Sequence, residues 1–207
     1  MNNSTIGKIG AAITGFAVLL FAISMLVGVL VDTLFANCFF SMLIALGFVP
    51  FMAALNATND DISQKACGMA AMCFATIYTV IVFLVYYATC TTVRLNTDLS
   101  RETLSIISYG HVGSLFFNYD LLGYAFMALS TFLTGVNLKA HNRNSRCLKT
   151  LLMIHGVFFL SCFFVPMFSV FTSDTSSVVG TILLLIWCMY FLPICALGYR
   201  FFQNDLS

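Results

Sequence analysis

The groups in this sequence able to move protons, hold metals or attack a substrate are few and widely spaced. His155 is the one histidine inside a long apolar run, and its near-neutral titration suits it to hydrogen-bond a ligand or pass a proton. His111 lies in a more polar stretch, where His111-Val112-Gly113-Ser114 lacks the pattern of a hydrolase nucleophile elbow. Asp120 opens an apolar run, a position where a carboxylate caps free N–H groups and meets the positive end of the helix dipole. Cys38, Cys67, Cys73, Cys90, Cys147, Cys162, Cys188 and Cys195 form no C-x-x-C pair, and no paired-histidine motif accompanies them. No metal site, cofactor or catalytic residue is expected, and the cysteines read as small polarizable packing residues. Cys38 and Cys90 alone fall near a common outer interface where oxidation is chemically open.

The elements that carry these residues follow from composition. The chain of 207 residues is 60% hydrophobic, 15% aromatic and 8% charged, against roughly 25% charged in soluble proteins. The mean hydropathy of +0.98 leaves no stretch for a soluble domain. A nucleic-acid binder is excluded for want of a basic field, and so is a secreted disulfide scaffold. The expected fold is all-α: a polytopic integral membrane bundle, with residues 1–207 as a single transmembrane domain in a lipid bilayer. One crossing takes about 20 apolar residues, and six runs qualify, at 9–31, 38–55, 66–93, 121–138, 148–171 and 178–199. The first is longer than the apolar core of a signal peptide, so it is expected to stay as a helix.

Charge gives the orientation. Seven cations, Lys8, Lys65, Lys139, Arg143, Arg146, Lys149 and Arg200, fall on one side of six crossings, and Arg94 and Arg101 on the other. The positive-inside rule then places both termini in the cytoplasm, in a multi-pass protein of the cell membrane. Asp32, Asp98, Glu102, Asp120 and Asp174 lie outside, and Asp60, Asp61 and Asp205 inside. Asp32, Arg94 and Asp120 stand at outer span ends and are candidates for a charged collar. The basic stretch 139–149 is a candidate contact for anionic headgroups or a protein subunit. Between the third and fourth spans, apolar and polar residues intermix over 94–119. That pattern predicts an amphipathic interfacial segment, its helix capped within 97–102 and interrupted at Gly110 and Gly113.

No charged residue sits at the middle of any run, which argues against a proton or ion relay. Two polar stripes recur at helical spacing: Thr76, Thr79, Phe83, Tyr86 and Cys90, then Gly123, Met127, Ser130, Thr134 and Asn137. Both are expected to face inward. With Phe159 and Cys162 they outline an apolar pocket with a few polar handles, whose expected ligand-binding residues are Thr79, Tyr86, Ser130, Thr134, His155, Trp187 and Tyr190. Phe48-Val49-Pro50 recurs as Phe164-Val165-Pro166 in runs two and five, as an inverted repeat requires.

In size, span number and the small-residue spacings Ala11 to Gly15, Ala66 to Ala70 and Ala71 to Ala75, the chain resembles the substrate-binding subunits of energy-coupling-factor vitamin transporters. The resemblance is architectural. It implies a solute-binding bundle that works with a nucleotide-hydrolysing partner, and it transfers no residue role. The expected function is binding or transport of a small neutral or aromatic solute within the bundle. One alternative is a membrane-embedded enzyme acting on a lipid or quinone through His155, His111 and Asp120. Charge-based sidedness separates His155 from the other two. The other alternative is a sensor, accessory or immunity subunit working through partner contacts.

Overall fold

The computed structural model describes residues 2–168 and 177–204. Phe171, the expected end of the fifth run, and Asp174 and Asp205 from the charge tally lie outside the described residues. The chain is all-helical, 83% of it in helices, with no strand among the described residues. Helix α1 is Asn3–Val27, opened by the Asn2 side chain accepting the Thr5 N–H, and α2 is Leu34–Asn56. Helix α3, Lys65–Ala88, runs on through a wider π turn at Thr89–Val93. Then follow α4, Arg101–Ile107; α5, Leu115–Asn137; α6, Arg143–His155; α7, Phe158–Met167; and α8, Ser177–Asn204.

Five helical segments are long and apolar enough to cross a membrane: Asn3–Val27, Leu34–Asn56, Ile62–Val93, Arg143–Met167 and Val179–Gln203. The fifth run is therefore not one helix. Gly156 and Val157 break it into α6 and α7 at the point where Gly156 lies against Phe132 of α5. Helix α5 matches the others with 23 residues, but Asn118, Asp120 and several hydroxyl residues make it less apolar.

Packing follows a ring. Helix α1 lies between α8 and α2, α2 packs on α3, α3 on α5, α5 on both α6 and α7, and α6 returns to α8. The tightest approach is between α1 and α2. A Cβ on Gly10 would stand 2.5 Å from the Phe51 nitrogen, and one on Gly47 would stand 2.6 Å from Thr14 Oγ1, so the two backbones touch. Gly15 serves a different neighbour, facing Cys195 of α8. Phe48, Phe51, Tyr78, Phe191 and Phe202 fill the centre, with the Phe48 and Tyr78 rings edge to face at 5.3 Å. The two Phe-Val-Pro tripeptides occupy unlike settings: Phe48 is fully buried and Phe164 is exposed, while Pro166 sits one residue from the end of α7.

The segment between α3 and α5 is more broken than an extended amphipathic helix. Ser100 caps the two-turn α4 by accepting the Thr103 N–H, and Gly113 takes φ +83°, a left-handed conformation that glycine enters without steric cost. Ser114 then caps α5 by accepting the Phe117 N–H. Helix α5 thus begins six residues before the expected start of its run, and Asp120 is an interior residue rather than a cap. The basic stretch 139–149 is mostly helix: Asn142 and Ser145 form a capping box at the start of α6. Lys149 donates to the Leu138 carbonyl at 2.9 Å, closing the end of α5.

Candidate functional site

Helix α5 supplies one wall of a cavity of about 240 Å³, and α7 and α8 supply the others. Asp120, Leu121 and Tyr124 recur along one face of α5, and Phe158, Ser161, Cys162 and Val165 along one face of α7. Leu183, Leu184, Ile186 and Trp187 complete it from α8. Helix α7 packs on α5, and the Phe158 ring meets Tyr190 of α8 edge-on. Leu183 and Ile186 are each about half exposed, so the cavity opens sideways between α7 and α8.

Its floor is a closed hydrogen-bond chain. The Trp187 indole N–H donates to His155 Nε2 at 3.0 Å. Nε2 is then an acceptor, so the proton belongs on Nδ1, which lies 2.8 Å from Thr131 Oγ1. Thr131 passes its own proton to the Ala128 carbonyl at 2.9 Å. His155 is 1% exposed with both ring nitrogens engaged, and stacks on Tyr190, whose hydroxyl donates to the Leu151 carbonyl at 2.6 Å. This arrangement holds α5, α6 and α8 together and fixes the Trp187 face toward the cavity. Tyr124 packs edge-on against that indole at 5.6 Å.

The other end of the cavity is Asp120, 6% exposed. Tyr86 of α3 is its polar neighbour, and Oδ1 is left without a hydrogen-bond partner. Tyr109, from the turn before α5, packs edge-on over Tyr86 at 5.1 Å and roofs this region. On α5 its lining runs from Asp120 to Tyr124, about 6 Å along the helix at 1.5 Å per residue.

Of the seven residues expected to bind a ligand, His155 and Trp187 line this cavity and Tyr190 backs it. Thr134 is buried and accepts the Asn56 amide at 2.9 Å, and Ser130 is buried with its hydroxyl unpartnered. Tyr86 reaches the site only through Asp120. Thr79 faces elsewhere: its hydroxyl donates to its own Ala75 carbonyl, which removes any need for an inward polar partner. The buried face of α3 is instead Ala71, Ala75, Tyr78, Val82 and Tyr86. The expected α5 stripe, Gly123 through Asn137, is buried throughout. The collar candidates stand in three environments. Asp32 is exposed and accepts the Leu34 N–H; Arg94 donates its Nε–H to the Cys90 carbonyl and lies 4.7 Å over the Phe35 ring; Asp120 is buried. His111 is exposed in a turn.

Sequence reasoning missed Leu121, Tyr124, Phe158 and Ser161, although the spacing Asp120 to Tyr124 and Phe158 to Cys162 to Val165 is the signal of one helical face. It also missed an amide cluster at the opposite end of the bundle. Asn137 donates to Asn56 Oδ1 at 2.9 Å, and Asn59 donates to the Asn137 carbonyl at 2.7 Å. Nearby, the Ser63 hydroxyl and N–H donate to Asp61 and hold its carboxyl below the usual carboxylate range. Cys38 and Cys90, both buried and unpaired, lie on α2 and on the turn Thr89–Val93 that packs against it.

Fold and cavity together define an all-helical protein whose long apolar helices suit a membrane. No protein-family model, curated protein or solved structure matches this chain.

Proposed function

We propose that this chain is a six-crossing protein of the cell membrane that binds, and moves between bilayer and aqueous face, a small and largely apolar or aromatic solute. The observation that carries the reading is the cavity between α5, α7 and α8: largely apolar walls, polar groups that include Asp120, His155 and Ser161, and half-exposed Leu183 and Ile186 at its edge. Such composition suits a molecule that partitions into the bilayer and is recognised at one end. Helix α5 is the sixth crossing. Ser4 donates to the Phe202 carbonyl at 2.6 Å, so α1 starts where α8 ends, as an even number of crossings requires. The cation-rich end, with Lys8, Lys139 and Lys149, faces the cytoplasm in this reading.

The catalytic alternative gains little, because His155 has no free ring nitrogen and His111 is not among the residues that line the cavity. Native mass spectrometry of the gently extracted full chain is expected to show a retained small organic molecule. Trp187, the sole tryptophan, is expected to change its emission on titration with 4-phenylbutanol, and Val165→Phe to abolish that response while leaving the circular dichroism intact. An unchanged emission in the wild type overturns the reading.

A further inference from the structure

The three polar handles of the cavity are not equivalent. His155 has both nitrogens engaged, and the Ser161 hydroxyl donates to the Phe158 carbonyl. Asp120 alone offers an unsatisfied atom, Oδ1, in a residue 6% exposed. We propose that the solute is an amphiphilic amine, its apolar or aromatic body lying along the cleft between α7 and α8 and its protonated nitrogen meeting Asp120. This rests on the cavity being a binding site, and it adds the charge and orientation of the guest.

A buried carboxylate demands a cationic or hydrogen-bonding partner, because desolvating it without one is strongly unfavourable. Among the described residues no such cation is supplied. At this end Arg94, Arg101 and His111 are the basic side chains; Arg94 is turned to Cys90 and Phe35, Arg101 is exposed on α4, and His111 is exposed in the turn before α5. Residues 169–176 contain no Lys, Arg or His. A metal ion fits poorly, since among the described residues no three His, Cys, Asp or Glu groups converge, and the Ser161 hydroxyl and both His155 nitrogens are already engaged. An ammonium needs one carboxylate and tolerates aromatic neighbours, here Tyr86 and Tyr124, whose ring faces attract cations. The cavity continues from Asp120 past Tyr124 and Phe158 to His155 and Trp187, an apolar and aromatic space for a body extended from that nitrogen.

The test compares 4-phenylbutylamine with 4-phenylbutanol, matched in size and differing at the terminal group, by Trp187 emission on the full chain in zwitterionic nanodiscs. The amine is expected to bind about tenfold more tightly, as a charge-assisted bond over a neutral one implies. Asp120→Asn is expected to bring the ratio near one while leaving alcohol affinity within about twofold, and Asp120→Glu to retain the amine preference. Equal binding of the two probes by the wild type overturns the amine assignment and leaves the cavity as a site. If neither probe changes the emission, the binding site itself is refuted. A ratio unchanged in Asp120→Asn places the amine elsewhere. The wild-type comparison decides the matter even where a variant does not fold.

Discussion

His155 shows how a residue rich in chemical potential is used up by structure. Its two nitrogens join Trp187, 32 positions away, to Thr131, 24 positions away, so the ring works as a rivet between α6, α8 and α5. Replacement by leucine leaves the Trp187 N–H buried without an acceptor, which costs about 1–3 kcal/mol. His155→Leu is therefore expected to lower the thermal unfolding midpoint in detergent by more than Tyr190→Phe, which removes one bond to a backbone carbonyl. An equal effect would deny the rivet role. The sequence marks His155 as the histidine in an apolar run, but nothing local identifies Trp187 or Thr131 as its partners. Asp120 misleads in the opposite direction. A carboxylate before an apolar run reads as a cap, and only the cap at Ser114 reveals it as an interior, buried group with an unmet valence.

At the scale of elements, the runs of apolar residues locate the helices well, because length and hydropathy are additive along the chain. Facing is harder. The α5 stripe reads correctly since its members, glycine to asparagine, have few ways to be satisfied except against other helices. The α3 stripe is rotated because threonine hydroxyls bond their own helix. Helix pairing is set by glycine, and the α1–α2 contact at Gly10 and Gly47 has no slack. Gly10→Val is expected to separate the two backbones and destabilise by about 1–3 kcal/mol, as overpacking does. Gly180→Val, at a site where a Cβ meets nothing within 4 Å, is expected to be tolerated. Comparison of the two unfolding midpoints checks this. Helix α2 also packs on α3 and on the turn that continues it, with Cys38 and Cys90 buried on the two sides. Diamide is expected to join Cys38 to Cys90 within one chain, giving a two-dalton loss in the intact mass of the wild type and none in Cys38→Ser. Since these thiols are buried, the reaction is expected to be slow until detergent loosens the roof.

The described helices form a ring in which α1, α2, α3, α5 and α6 pack in chain order, closed by α8 against both α1 and α6. That closure brings Ser4 to Phe202, and it ties together two independent lines of reasoning. A tally of Lys and Arg over six crossings puts the start of α1 and the end of α8 on one face, and the hydrogen bond places these two ends together without reference to charge. The amide cluster adds a third tie, joining the α2–α3 turn to the end of α5 at that face. A chain with α5 lying outside the membrane breaks this agreement, because five crossings separate the ends. Single cysteines placed in a cysteine-free background at the exposed sites Asn2→Cys, Asn96→Cys and Asn142→Cys distinguish the arrangements. In intact cells a membrane-impermeant maleimide is expected to label the cysteine at position 96 and to spare those at 2 and 142 until the membrane is opened. Labelling of 2 and 142 on opposite faces would remove α5 from the bilayer, and with it the sideways cavity whose wall it forms.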